Sequence, residues 1–307
     1  MKRIVSFVCV LVAVLGPAFG GGDGFHIAAE EFEELVEEHS EGKITIEIFP
    51  NAELGDERTL LESMQMGSVD MGVITNGPVA NFVEEIAVFE LPFLFPTPED
   101  AYSVLDGEIG QELLDKLEEV DLKGLAYAER GFRNLTNSVR SVQGPEDVDG
   151  LKIRVMENPV YVDTFRALGA NTVPMAWTEA LTAMQQQTID GQENPINVIH
   201  SFKLHEPQEH LSLTRHTYAP AIIVMSLDRW NGLPRDAQRL LEEAAQEAAE
   251  YERQWNADMA EEQLEDLRAN GMEIVEEPDI AAFQDAVAPV YDKYRDEFGD
   301  YLDRIMA

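Results

Sequence analysis

The chain has 307 residues, with 59 acidic and 22 basic side chains and a formal charge of −37. Such a charge repels a polyanion, so a nucleic-acid-binding function is excluded. The length exceeds that of one ordinary core and predicts two lobes, and an apolar content of 45% is enough for a globular protein. Because the acids are dispersed rather than gathered in one tail, they predict the acidic surface typical of a salt-loving or alkaliphilic source.

The first 20 residues have the features of a secretory signal peptide. Lys2 and Arg3 precede an apolar run from Ile4 to Leu15, and Ala18-Phe19-Gly20 offers a cleavage site. The run is shorter than the roughly 20 residues that a membrane-spanning helix needs. We therefore expect a periplasmic protein that is secreted through this signal peptide. A single cysteine excludes a disulfide framework and a cysteine metal site.

The first half of the chain alternates helical and strand patterns. Apolar spacing and punctuation by Gly predict helices over 26–41, 56–66 and 99–119, and strands over 43–49, 69–74 and 124–128. In open α/β sheets, ligands lie beyond the carboxyl ends of the strands. Thr75 and Asn76 follow the apolar strand over 69–74, so they are candidate polar contacts. The alternative is a turn that is chosen for its backbone geometry.

The second half continues the same alternation. The patterns predict helices over 159–168, 176–187, 234–270 and 280–305, and strands over 172–175, 218–226 and 272–275. Residues 189–195 are predicted to lead from a strand into a polar loop. At 1.5 Å per residue the helix over 234–270 is about 55 Å long, which predicts that it spans both lobes.

Arg154 lies in the short alternating segment Lys152-Ile153-Arg154-Val155. A guanidinium on a half-buried strand requires an anion, because an unpaired buried charge is costly. Its planar fork matches a carboxylate in a bidentate arrangement. The anion could be an Asp or Glu of the protein, or the carboxylate of a ligand.

Several blocks resemble the solute-binding proteins of tripartite ATP-independent periplasmic (TRAP) transporters, the DctP-like family. They are FPNAELGDERTLLESMQMGSVDMGVIT (49–75), AVFELPFLFPTPEDAY (87–102), GFRNLTNSVRSVQGPEDVDGLKIRV (131–155) and NTVPMAWTEALTAMQQQTIDGQENP (171–195). The resemblance implies that Arg154 binds the ligand carboxylate, with Arg133 and Asn194 assisting. It implies a C4-dicarboxylate or related carboxylate as ligand and a permease of one small and one large membrane subunit as partner. We expect no cofactor and no metal.

Three further positions of the polar segment bear on the same site. Trp177 either lines the pocket or belongs to the core, and the resemblance favours the pocket. Gln192 and Asn194 have suitable chemistry for ligand hydroxyl or carboxylate groups. Glu193 lies between them and could pair with an arginine and hold it in place.

The implied fold is α/β, a two-lobed periplasmic-binding-protein-like fold with a hinge and a long helix spanning both lobes. We expect a signal peptide over 1–20, lobe I over 21–130 and 220–258, and lobe II over 131–219 and 259–307. Family members begin with a short strand well before the first helix. Here that strand is either absent from the mature chain or supplied by 10–15, without removal of that segment.

Other site types and functions receive less support. His205 and His210 resemble a zinc-binding HExxH motif, but the spacing is one residue too long and Pro207 interrupts a helix. No catalytic set is apparent, so we do not expect an enzyme. The alternatives are an enzyme that acts on a carboxylic acid, with Glu193 or Asp190 as its base, and an ABC-type solute-binding protein.

Overall fold

A computed structural model describes residues 8–13 and 22–307. The strands are β1 Val8–Ala13, β2 Ile44–Phe49, β3 Met71–Thr75, β4 Leu122–Asn137, β5 Lys152–Val155, β6 Asn171–Pro174, β7 Gly191–Asn194, β8 His210–Ser226 and β9 Glu273–Val275. The helices are α1 Gly24–His39, α2 Glu57–Gln65, α3 Asn76–Val79, α4 Pro98–Leu105, α5 Glu108–Asp115, α6 Pro159–Ala167, α7 Trp177–Gln185, α8 Ile196–Ser201, α9 Leu227–Gly232, α10 Arg235–Ala269 and α11 Ile280–Ile305.

The described chain divides into two compact units. Unit 1 contains the described residues through Thr75, with Glu112–Glu129 and Ala221–Ala257. Unit 2 contains Asn76–Gln111, Arg130–Pro220 and Asp258–Ala307.

The unit boundaries near residues 130, 220 and 258 lie within a residue of the bounds predicted for the lobes, and the assignment of the lobes stays a prediction. Residues 76–111 differ, because they were expected in lobe I and group with unit 2. The physical reason lies in buried hydrogen bonds. Tyr161 Oη donates to Glu90, and Asn158 Nδ2 donates to the carbonyl of Gly77 at 3.1 Å.

Unit 1 is built on the strand order β2-β1-β3-β8-β4. Strand β1 is parallel to β2 and β3, and β3 is antiparallel to β8. Helices α1 and α10 bury apolar stripes against these strands. Their fully buried side chains include Phe25, Phe32, Val36, Leu241 and Ala248. Asp56 caps α2, since its side chain accepts a hydrogen bond from the Thr59 amide at 2.8 Å.

The first strand comes from the apolar N-terminal segment. Six residues of β1 pair with β2, and Val10 is opposite Ile46 and buried. This segment therefore forms a strand, which begins two residues before the expected 10–15. Residues 1–7 and 14–20 of the expected signal peptide lie outside the described residues, so the signal peptide and its removal stay predictions.

Unit 2 is built on the order β4-β7-β5-β6, with β9 paired to the start of β8. Strands β5, β6 and β7 are parallel, whereas β4 and β7 are antiparallel. A core that includes Ile189, Ile199, Leu211 and Leu267 packs beside them. Helix α10 contributes its residues through Ala257 to unit 1 and the rest to unit 2.

Two element predictions were wrong. The helix expected over 99–119 is interrupted, with α4 and α5 on either side of an Asp106-Gly107 turn and a 3-10 turn at Lys116–Val120. The polar loop expected at 192–195 is mostly strand β7, which is buried because β4 and β5 pair with its two edges. Among the described helices, none combines the length and the hydropathy needed to cross a bilayer.

Candidate functional site

Arg154 is held at the carboxyl end of β5. Its Nε and Nη2 both donate to the Met175 carbonyl, at 3.0 and 2.7 Å. The guanidinium carbon lies 5.4 Å from the centroid of the Trp177 ring, and only 3% of the residue is exposed. A backbone carbonyl and an aromatic face therefore fix the direction of the guanidinium group.

Strand register decides which side chains share a face with Arg154. Gln192 is the partner of Arg154 across β5 and β7, and of Thr136 across β7 and β4. Opposite residues point to the same face and successive residues alternate. Arg154, Gln192, Asn194 and Thr136 therefore lie on one face of this part of the sheet. Arg133 lies on the other.

A chain of buried side-chain hydrogen bonds runs along the Arg154 face. Thr136 Oγ1 donates to Gln208 Oε1 at 3.0 Å and accepts from Gln192 Nε2 at 2.9 Å. Gln192 Oε1 accepts from Asn194 Nδ2 at 2.5 Å. All four residues are at most 6% exposed. The side-chain amide of Gln192 is used within this series of hydrogen bonds. Its position therefore suits orientation of Asn194 better than direct contact with a ligand.

On the opposite face, Arg133 forms a buried ion pair with Glu193. Arg133 Nε and Nη2 donate to the two carboxylate oxygens of Glu193, and Nη2 also donates to its backbone carbonyl at 2.6 Å. His216 Nε2 lies 3.2 Å from Glu193, and its Nδ1 lies 2.8 Å from Thr214 Oγ1. The proposed pairing of Glu193 with an arginine is therefore observed, with Arg133 as the partner.

The ion pair sets the protonation of its members. Burial opposes ionisation of Glu193, but Arg133 and the hydrogen bond from His216 hold its pKa below the ordinary value. Burial also lowers the pKa of His216 against the attraction of Glu193. The pair is thus a compensated internal charge, and both partners are at most 1% exposed.

A second buried acid, Glu90, lies close to Arg133. Its carboxylate accepts from Tyr161 Oη at 2.5 Å and from Asn76 Nδ2 at 2.8 Å. The Arg133 guanidinium carbon is 5.4 Å from the Tyr161 ring centroid. Burial raises the pKa of Glu90 to about 7, although the hydrogen bonds from Tyr161 and Asn76 act in the opposite direction.

The remaining candidate residues occupy mixed positions. Asn76 is fully buried and uses Nδ2 inside unit 2, on Glu90 and on the Ile86 carbonyl. Thr75 is 4% exposed, and its amide donates to Glu57 at 2.7 Å within unit 1. Trp177 lies beside Arg154, and its ring packs edge-on against Phe202 next to the core of unit 2, so its part in a pocket stays a prediction.

The alternative site chemistries concern a metal ion and a catalytic base. Among residues 8–13 and 22–307, no group of three His, Cys, Asp or Glu side chains is arranged to hold a metal ion. Of the two candidate bases, Glu193 is paired with Arg133, and Asp190 accepts from the Lys152 amide at 2.8 Å.

Sequence reasoning missed Thr136, Gln208, Glu90, Tyr161 and His216 as parts of these networks. One signal was available in the sequence. Because successive residues of a strand point to opposite faces, Arg133 and Thr136 must lie on opposite faces of the sheet. No local sequence pattern indicates the tertiary partners of Gln208 and Glu90, because these partners are distant along the chain.

Comparisons with known proteins agree with this architecture. The model of bacterial extracellular solute-binding protein family 7 matches residues 19–297. A solute-binding protein of Verminephrobacter eiseniae is 41% identical over 273 residues, which cover 89% of this chain and 82% of that protein.

Two solved structures are similar over nearly the whole chain. A TRAP periplasmic solute-binding protein of Polaromonas sp. JS666, bound to D-erythronate, has a TM-score of 0.95 and 38% identity, with 98% of each chain covered. The sugar acid binding protein of Advenella mimigardefordensis, in complex with galactonate, has a TM-score of 0.94 and 32% identity, with 98% of this chain and 97% of that chain covered.

These findings confirm the predicted resemblance and the two-lobed α/β fold class. They also confirm that the relatives are binding proteins of transporters. The chain belongs to bacterial extracellular solute-binding protein family 7, the family of TRAP solute-binding proteins, and not to a family of enzymes.

Proposed function

We propose that this protein captures a small organic acid through a pair between Arg154 and the ligand carboxylate. The observation that carries the proposal is the fixed guanidinium, which two hydrogen bonds to Met175 and the Trp177 ring hold in one orientation. A preorganised and largely buried arginine binds a carboxylate more strongly than an exposed one, because little side-chain freedom is lost on binding.

The supporting contacts are assigned from the same geometry. Asn194 is two residues beyond the β7 partner of Arg154 and on the same face, so it is the proposed second contact. Trp177 supplies an apolar wall, and Gln192 orients Asn194. Direct ligand contacts by Arg133, Thr75 and Asn76 stay predictions.

The proposed ligand class is a C4-dicarboxylate or a related carboxylic acid. The relatives described above were solved with D-erythronate and with galactonate, and both molecules combine one carboxylate with several hydroxyl groups. An arginine beside an amide suits such an acid, because the charge anchors the carboxylate and the amide can serve a hydroxyl group.

The proposed setting is the periplasm, with export directed by the N-terminal segment. The loaded protein delivers its ligand to a TRAP permease of one small and one large membrane subunit, as the family implies. Energy for transport then comes from an ion gradient rather than from ATP.

Titration calorimetry tests the carboxylate pair. We expect Arg154→Ala to weaken binding of the best organic acid by about 2–5 kcal/mol, because a charge-assisted bidentate pair is lost. The matched control is Arg166→Ala, since Arg166 is on the same unit and its side chain is 64% exposed. Equal affinity of Arg154→Ala and the parent protein would show that the assignment is wrong.

A further inference from the structure

We propose that the buried chain Gln208–Thr136–Gln192 turns the Asn194 amide so that the site selects acids with a hydroxyl group on the α-carbon. Thr136, Gln192 and Gln208 are positioning residues in this proposal, and Asn194 is the residue that touches the ligand. The inference rests on the proposed function, since it concerns the specificity of the same site.

The orientation is set at the Gln208 end of the chain. Gln208 Nε2 donates to the backbone carbonyls of Pro207 at 3.1 Å and Asp190 at 3.4 Å. A backbone carbonyl can only accept a hydrogen bond, so these two contacts identify the nitrogen of the Gln208 amide. Its oxygen must then face Thr136, which lies 3.0 Å away.

The orientation of the Gln208 amide determines which atoms donate and which accept in each of the following hydrogen bonds. Gln208 Oε1 can only accept, so the single hydroxyl proton of Thr136 is used there. Thr136 Oγ1 can then only accept from Gln192, whose nitrogen lies at 2.9 Å. The oxygen of the Gln192 amide consequently points along the strand to Asn194 and accepts from Nδ2 at 2.5 Å. Reversing any one amide would leave two donors or two acceptors facing each other.

The last amide in the chain therefore has a defined polarity. One Nδ2 hydrogen of Asn194 is used on Gln192, which leaves its second Nδ2 hydrogen and its Oδ1 outside this series of hydrogen bonds. Asn194 thus offers one N–H and one carbonyl oxygen side by side. In the reverse orientation it would offer two N–H groups, which suit a carboxylate alone.

An α-hydroxy acid matches this donor and acceptor pair. Its carboxylate oxygen accepts from the remaining N–H of Asn194, while its α-hydroxyl group donates to Oδ1. Arg154 lies on the same face, on the strand next to β7, and binds the same carboxylate. A site that is built to hydrogen-bond a hydroxyl group discriminates against the analogue that lacks it.

The specificity is measured with pairs of acids that differ only in the α-hydroxyl group. The first pair is D-erythronate and 3,4-dihydroxybutanoate, and the second is malate and succinate. We expect the parent protein to bind the better-bound α-hydroxy acid at least about tenfold more tightly than its counterpart, the factor expected from one hydrogen bond.

The positioning role is tested by Thr136→Val, which keeps the side-chain shape and removes the hydroxyl group. We expect the affinity ratio within each pair to fall towards one, because Gln192 and Asn194 are then free to reverse. Thr136→Ser should restore the ratio. The matched control is Thr164→Val, since Thr164 is 1% exposed and its Oγ1 makes no hydrogen bond within the described chain.

The outcomes separate this inference from the proposed function. A parent ratio near one, or a ratio that Thr136→Val leaves unchanged, overturns the inference. If Thr136→Val does not unfold cooperatively, Gln208→Leu replaces it, with the same expected loss of ratio. Retained binding by Arg154→Ala overturns the proposed function instead, whatever the ratios are.

Discussion

Arg133 and Arg154 are the same residue type in two different structural environments. Both are buried, but Glu193 neutralises Arg133 with both of its carboxylate oxygens, whereas a backbone carbonyl and an aromatic ring orient Arg154. Loss of either partner of a buried ion pair leaves an uncompensated charge, which costs more than the pair contributes. Arg133 is therefore first a structural requirement of unit 2, whatever its part in ligand binding.

Glu90 makes the stability of the protein depend on pH. Its pKa is about 7 when folded and 4.5 when unfolded. Between these values the folded state holds a proton that the unfolded state has released, so the contribution of Glu90 to stability falls as the pH rises from about 4.5 to 7. Tyr161, Asn76 and Arg133 limit this loss because they favour the carboxylate, whereas the negative charge of Glu193 adds to it.

We expect Glu90→Gln to stabilise the protein relative to the parent, and to do so more at pH 8 than at pH 5. Between pH 5 and pH 8, the difference in unfolding free energy between Glu90→Gln and the parent protein should grow by about 2–3 kcal/mol. The reason is that the neutral amide has no ionisation penalty. Denaturant unfolding at both pH values measures it. Glu53→Gln is the control at an exposed position, and an equal effect of both variants would contradict the assignment.

At the scale of elements, the start of α1 depends on its contact with α10. Asp23 caps α1 by accepting from the Phe25 amide at 2.9 Å. Glu252 of α10 is buried beside this cap, where it accepts from the Glu129 amide at 3.0 Å and from Asn256. The two helices approach closely because Gly24 has no side chain.

Gly24→Ala should therefore destabilise the protein by about 1–3 kcal/mol, the usual cost of overpacking. The added methyl group would lie 2.9 Å from Asn256 Oδ1 and closer still to Glu252, whose bond to Glu129 limits its movement. Thermal and urea unfolding measure the loss. Gly232→Ala is the matched control because its added carbon meets no atom within 4 Å, and a loss as large as that of Gly24→Ala would contradict the packing argument.

At the scale of the whole molecule, the formal charge of −37 opposes the approach of any anionic ligand. This long-range repulsion is screened by salt, whereas the proposed contact between Arg154 and a carboxylate would be short-range and partly desolvated. The general field and the local site thus act in opposite directions on an organic acid.

We expect the association rate constant for an organic acid to rise about threefold or more between about 20 mM and 500 mM KCl, as the field is screened. Stopped-flow tryptophan fluorescence can follow binding, since Trp177 lies beside Arg154. The dissociation rate constant should change less, because it depends on short-range contacts. A fall in the association rate constant with salt would show that local positive charge dominates the approach.

The sequence by itself determined the α/β class, the family resemblance and most helices and strands of unit 2. It could do so because hydrophobic periodicity, caps and turn residues are local signals, as Asp56 and the KIRV strand show. It also predicted that Arg154 lies on a short strand, which the structure bears out, whereas its binding of a ligand stays a prediction.

Only the tertiary structure decided which polar groups meet. The pairing of β7 with β4 and β5 turned an expected loop into a buried strand, placed Arg133 and Arg154 on opposite faces, and linked Asn194 to Gln208 through Thr136. Glu90 joined Tyr161 across 71 positions of the chain. Such contacts depend on strand order and register, and these are set by packing among distant segments rather than by any local pattern.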